Sequence, residues 1–250
     1  MLGGLTLLFF AGLLAGAMNA VAGGGSFITF PALLYAGVPP VTANASSTVA
    51  LFPGSMAGAW EYRKYLQPFP GVSFISMIIC TFLGGCAGAL LLLYTPSTSF
   101  NQLVPWLLLT GTLSFAFGKR AGNWLSQRVR IGSALVLVSQ FFLGIYGGYF
   151  GGAVGIMMMA VWSLFGMSDI KVVNANKNLF VGIANAIAVI IFILAGKVAW
   201  LETGTMLVAT IIGAYLGAHY TKGMNPVKLR QGIVIFNFVI TAIFFIKVYF

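Results

Sequence analysis

Apolar residues run in long blocks, at about 3–22, 26–37, 41–60, 71–94, 101–118, 132–150, 152–167, 170–196, 199–220 and 229–250, divided by short polar or glycine-rich connections. None of the blocks alternates apolar with polar positions, as the strands of a membrane barrel do, so the pattern predicts helices. A helix needs about 20 residues to cross ~30 Å of hydrocarbon, and most blocks are long enough. Blocks 26–37 and 152–167 are short, and each follows a cluster of glycines: AGGGS at 22–26 and YGGYFGG at 146–152. Glycine at that density favours a broken helix, and exposed backbone at membrane depth is tolerated only where it lines a cavity or is buried in protein.

The pattern also repeats. GLLAGAMNAVAGGGSF (12–27) parallels GIYGGYFGGAVGIM (144–157), and VTANASSTVALFPGS (41–55) parallels KVVNANKNLFVGIAN (171–185). With a shift of 130, Asn44 falls on Asn174, Ser46 on Asn176, Ser47 on Lys177 and Ser55 on Asn185. Each half runs through a glycine break, a short apolar segment, a turn, and a helix with a polar stripe. The expected architecture is an all-α polytopic membrane protein of two inverted repeats, each a glycine-broken helical hairpin plus three membrane helices. The first repeat with its basic connecting loop covers 1–130 and the second 131–250.

Composition excludes a soluble fold. Of 250 residues 60% are hydrophobic and 6% charged, with a mean hydropathy of +1.00, whereas soluble domains carry about a quarter charged residues. The first twenty residues lack a basic leader and belong to the repeat, so they are expected to remain as a membrane segment. The net charge of +10 does not point to nucleic acid, because most basic residues lie in connections, where the positive-inside bias places them. With five passes per half, Arg63, Lys64, Lys119, Arg120, Arg128, Arg130, Lys171, Lys222, Lys228 and Arg230 fall on one side. Lys197 and Lys247 fall on the other. Eight uninterrupted spans would scatter basic residues over both sides. The hairpin arrangement puts both termini outside the cytoplasm, in a bacterial inner membrane. Oppositely oriented repeats with interrupted helices are a recurrent transporter plan.

The stripe carries the candidate chemistry. Asn174, Lys177, Asn178 and Asn185 share one helical face, with Gly182 leaving room beside them, while Asn176 points elsewhere. Asn44, Ser47, Thr48 and Ser55 repeat the stripe in neutral form, and Pro53–Gly54 is placed to bend that helix. An ammonium in hydrocarbon costs at least about 2.5–3.5 kcal/mol. Lys177 has three accounts: it snorkels to an interface, it is held uncharged, or it awaits an anion. The last fits the rule that ionisable residues inside a membrane mark a substrate path. The glycine breaks add helix starts whose N–H groups attract anions, around Gly24, Gly25, Ser26 and Phe27 and around Gly151 and Gly152. Those glycines also serve close helix packing. Asn19 either lines the site or satisfies freed carbonyls.

Other features carry less. Met157, Met158 and Met159 read as packing, because one helix cannot converge three consecutive thioethers on a metal. Cys80, Cys86 and His219 have no metal-ligand spacing, and no cofactor is expected. Trp60, Trp106, Trp124, Trp162 and Trp200 fall mostly near segment ends, as interfacial anchors do. No nucleophile–base pair or carboxylate pair lies in the membrane, so the chain does not read as an enzyme.

The run MNAVAGGGSFITFPALLYAGVPPVTANASS (18–47), echoed in the second half, resembles the sulfite exporter TauE/SafE family, also called the TSUP permeases, over nearly the whole chain. The resemblance implies an inner-membrane transporter of sulfur-containing or organic anions, such as sulfite, thiosulfate or sulfoacetate. Family members generally show a Thr–Ser pair in each stripe; here Ser46–Ser47 and Asn176–Lys177 stand there, and the second half has no counterpart of Pro31.

The expected activity is alternating-access transport of a small anion bound at mid-membrane. Lys177 supplies charge, and Asn44, Ser46, Ser47, Asn174, Asn178, Asn19 and the glycine-break groups complete the shell. The expected partners are that anion and the lipid bilayer, with self-association left open. A channel-like anion pathway and a non-transport scaffold or accessory subunit are the rivals.

Overall fold

The computed structural model describes residues 2–22, 24–69, 71–167, 169–220 and 226–250. Gly23 of the first glycine cluster and Lys222 of the basic set lie outside the described residues, as do the side chains of Lys119, His219, Lys228 and Arg230. Among the described residues there are ten α-helices and no strand. The first five are α1 (Leu2–Ala22), α2 (Ser26–Tyr35), α3 (Pro40–Glu61), α4 (Phe74–Tyr94) and α5 (Ser97–Ser126). The second five are α6 (Ser133–Tyr149), α7 (Val154–Leu164), α8 (Ile170–Leu194), α9 (Trp200–Tyr220) and α10 (Pro226–Tyr249). The helix predicted at each apolar block is present, and α2 and α7 are the two short ones.

Four stretches, within α1, α4, α8 and α10, are long and apolar enough to cross a membrane. The helices α3, α5 and α9 span 22, 30 and 21 residues, but polar side chains and glycines lower their mean hydropathy. One boundary differs in kind from the pattern. Helix α5 runs well past the 101–118 block and carries exposed Arg120 on its last turns; nothing in that stretch breaks a helix, and water solvates the charge. Helix α3 runs through Pro53, within the block expected at 41–60.

Glycine ridges set the packing. A Cβ on Gly16 would overlap the Thr210 carbonyl, one on Gly213 the Leu13 carbonyl, and one on Gly217 would stand 2.5 Å from Ala17 Cα. Residue numbers climb together along this contact, so α1 and α9 run parallel with their backbones touching. The same holds for α4 and α6, where Gly84 meets Phe141 and Gly144, and Gly88 meets Ile145 and Tyr149. The pairing is reciprocal between halves. As α1 packs on α9, so α6 packs on α4; as α3 packs on α9, so α8 packs on α4; and α3 crosses α8 while α5 lies against α10.

Two aromatic knots fill the interior around the short helices. Phe30 of α2 touches the rings of Phe100, Phe150 and Phe244. Trp162 of α7 packs on Phe69 and Phe180. Trp162 therefore departs from the interfacial role expected of it. It is fully buried, and its indole N–H donates to Gln140 Oε1 at 3.2 Å, so the group that draws tryptophan to an interface finds its partner inside. Trp60, Trp106, Trp124 and Trp200 are exposed. Arg63 and Arg128 lie over the rings of Trp60 and Trp124 at 4.1 and 3.8 Å.

Candidate functional site

The two chain breaks meet. A Cβ placed on Gly152 would stand 3.5 Å from Ser26 Oγ, and the Gly152 carbonyl lies beside Gly111 of α5 together with the ring of Phe27. The breaks reach this point by different means. At the first, Gly25 has ordinary right-handed angles, φ −55° and ψ −31°, and glycine is required by crowding. An added Cβ would stand 2.8 Å from Leu51 Cδ2 and 2.9 Å from the Ala15 carbonyl. Gly24 is packed against Met18. At the second, Gly151 has φ +79° and Ala153 φ +60°. A non-glycine residue held there costs about 1–3 kcal/mol, and such strain gathers at functional sites.

The helix starts hold fewer free donors than expected. Phe27 N–H donates to Gly24 O at 3.1 Å, and Ile28 and Thr29 N–H both donate to Gly25 O at 3.0 Å. The tight turn uses these amides internally, so Phe27 N–H is not available to an anion.

The stripes flank the breaks. Asn19 Nδ2 approaches Gly54 of α3, and Asn185 Oδ1 approaches Gly151. Lys177 is half-buried, and its Cγ and Cδ would lie 3.0 and 3.1 Å from a Cβ on Gly155. The bare backbone of α7's first turn is thus the groove along which the lysine stem runs. Among the described residues no hydrogen bond or ion pair engages its ammonium. Asn174 and Asn178 are half-buried on the same face.

The first-half stripe is sealed instead. Asn44 is 2% exposed and donates from Nδ2 to the Tyr149 carbonyl at 2.8 Å. Ser47, 1% exposed, shares a 2.6 Å hydrogen bond with Thr29 of α2. Ser46 is fully buried, and its Oγ accepts from Ala199 N–H at 3.0 Å, holding the start of α9. Asn176 does the matching work in the second half, donating to the Gln67 carbonyl at 2.9 Å just ahead of α4. The residues one step off each stripe therefore stitch the two halves together.

Thr29, Tyr149 and Gly155 were not singled out from sequence. Thr29 and Gly155 lie just inside α2 and α7, and a first-turn position after each break was the available signal. Gln140 also went unmarked, although it joins Thr81 and Trp162 in the buried interior. Gln140 Nε2 also approaches Met158 Sδ at 3.9 Å. Cys80 and Cys86 are free thiols, and no cluster of metal-binding side chains occurs among the described residues.

A family model for the sulfite exporter TauE/SafE matches residues 8–244. The chain is 32% identical over 248 residues to a probable membrane transporter protein of Haemophilus influenzae, covering 95% of this chain and 93% of that one. It is 32% identical over 241 residues to the probable membrane transporter protein YfcA of Escherichia coli K12, covering 95% and 88%. A third relative, the probable membrane transporter protein ORF9 of a Sinorhizobium species, is 29% identical over 230 residues, covering 90% and 86%. No solved structure matches the chain significantly. With apolar helices long enough to span a bilayer and a family model matched from α1 to α10, the chain is an integral membrane protein of the sulfite exporter TauE/SafE family of membrane transporters.

Proposed function

We propose that this transporter carries a small oxyanion or organosulfonate of the sulfite, thiosulfate and sulfoacetate class by alternating access, binding it between the two chain breaks. One observation carries the reading: Lys177 lies half-buried within a membrane helix with no counter-ion among the described residues, its stem laid across α7's first turn. A cation left unpaired at that depth costs at least about 2.5 kcal/mol, and an arriving anion offsets the cost. Asn174 and Asn178 are positioned on the same face to donate hydrogen bonds that distinguish a tetrahedral or pyramidal oxyanion from chloride. Ser26, beside Gly152, brings the first break to the same place.

The halves 1–130 and 131–250 act as oppositely oriented repeats in this scheme. The parallel pairs α1–α9 and α4–α6 support that relation, because each joins a helix of one half to a helix of the other. The basic loops with Arg63, Arg128 and Lys171 face the cytoplasm under the positive-inside rule, leaving both termini outside it in the inner membrane.

Reconstituted vesicles test the reading directly. Uptake of labelled sulfite, thiosulfate and sulfoacetate is measured with the intact chain and with Lys177→Ala, and counterflow is checked to separate a carrier from a pore. The expected result is saturable flux with counterflow, lost in Lys177→Ala although that variant inserts and remains monodisperse. Undiminished flux in Lys177→Ala rejects the assignment.

A further inference from the structure

The equivalent asparagines Asn44 and Asn174 are in opposite conditions. Asn44 is buried and bonded to the Tyr149 carbonyl, at the end of the helix that leads into the second break. Asn174 is half-buried, with no hydrogen bond among the described residues. The carbonyl equivalent to Tyr149 falls in the last turn of α1, within 19–22, the helix that leads into the first break. A bond made on one side of the repeat is therefore unmade on the other. The burial of the stripes differs in the same sense. Asn44, Ser46 and Ser47 are sealed, whereas Asn174, Lys177 and Asn178 are not.

The sealed stripe lies toward one face of the membrane. Asn44 stands four residues into α3, and Tyr149, whose carbonyl it bonds, reaches with its hydroxyl to Thr95, in the connection between α4 and α5. The open stripe lies toward the other face. Lys177 is seven residues into α8, about 10 Å from that helix's start, where Asp169 caps α8 and Lys171 stands over the Tyr65 ring at 5.5 Å.

We propose that Asn44 and Asn174 are reciprocal latches: the Asn44–Tyr149 bond closes the path on the Thr95 face, and in the opposite state it opens while Asn174 donates to a carbonyl in α1's last turn. In two repeats related by a pseudo-two-fold axis, exchanging their conformations converts one access state into the other. The structure is then the state open to the face that carries Arg63, Arg128 and Lys171. This inference rests on the proposed relation between the halves and reassigns Asn44 from anion ligand to gate.

Thiol labelling without any substrate tests it. In a chain with Cys80→Ser and Cys86→Ser, Val181→Cys reports access along the open stripe, one turn deeper than Lys177. The label is a membrane-impermeant maleimide, applied to vesicles of each orientation. Asn44→Leu is close in volume and carries no donor, so the Asn44–Tyr149 latch is lost and the population moves to the opposite state. Labelling from the basic face is expected to slow by about three- to tenfold, the change that one hydrogen bond produces in a two-state ratio. Adding Asn174→Leu removes the other latch and is expected to restore labelling to near its starting rate. Should Asn44→Leu fail to accumulate in the membrane, Asn44→Ala, shorter and also without a donor, carries the same comparison. Unchanged labelling in the Asn44 variant, or no recovery in the double variant, overturns the latch, because a merely structural pair of asparagines gives additive losses. Opposed shifts without any anion flux leave the latch standing and reject the substrate assignment instead.

Discussion

The two breaks achieve the same interruption with different chemistry. At the first, Gly25 keeps helical angles and is glycine because Leu51 and the Ala15 carbonyl leave no room for a methyl group. At the second, Gly151 and Ala153 take left-handed angles, and the constraint is conformational. The stripes beside them differ in parallel. In the first half, Asn44, Ser46 and Ser47 are buried and bonded; in the second half, Asn174 and Lys177 are half-buried and, among the described residues, unbonded. On the proposed reading a duplicated plan has been divided, one copy serving as a packed clamp and the other as the more open, charged side of the site. Backbone strain falls on the copy that bears the charge.

Moving the charge between copies is the strongest way to break this comparison. Ser47→Lys places an ammonium where a 1%-exposed hydroxyl bonds to Thr29, costing at least about 2.5 kcal/mol on the most lenient membrane scale. Most of the folded yield is expected to disappear, as read by fluorescence-detected size exclusion. Lys177→Ser, the reverse change, is expected to keep its yield. Equal yields for the two sink the clamp assignment. At the breaks, Gly25→Ala is expected to destabilise by about 1–3 kcal/mol through overpacking, and Gly151→Ala by about 1–2 kcal/mol through its left-handed angle. Asparagine separates the causes, because its short polar side chain tolerates that angle. Gly151→Asn should recover part of the melting temperature lost in Gly151→Ala, whereas Gly25→Asn should fall below Gly25→Ala. The smallest effect belongs to the stitching residues. Ser46→Ala and Asn176→Ala each remove one inter-half hydrogen bond, worth about 1 kcal/mol. Both should lower the melting temperature and leave apparent anion affinity unchanged, so a changed affinity would draw them into the site.

The helices were legible because hydrophobic length and glycine punctuation are local properties. The run from Ser26 to Tyr35 was recognisable as a short helix from its glycines alone. The stripe face was legible through helical periodicity, which set Asn176 apart from Lys177. What Asn176 touches was not, since Gln67 stands 109 residues away and no local pattern encodes that contact. Trp162 was misjudged for the same reason, its partner Gln140 lying on another helix. The expectation of open amides at Phe27 failed on a finer scale, because the turn at Gly24 tightens enough to take that donor. The difference between Asn44 and Asn174 could not have been foreseen either, since the alignment makes them equivalent and only one arrangement of the folded chain separates them.

The glycine ridges carry a consequence for assembly. Because α1 zips to α9 and α4 to α6, each half of the polypeptide contributes a groove that only the other half can fill. Neither half has a finished interior of its own, so insertion of the first five helices leaves two bare seams waiting in the bilayer until the last five arrive. The linker at 127–132 then acts as a tether rather than a hinge: cut there, the fragments should still find each other, and either one made alone should be cleared by the cell's proteases.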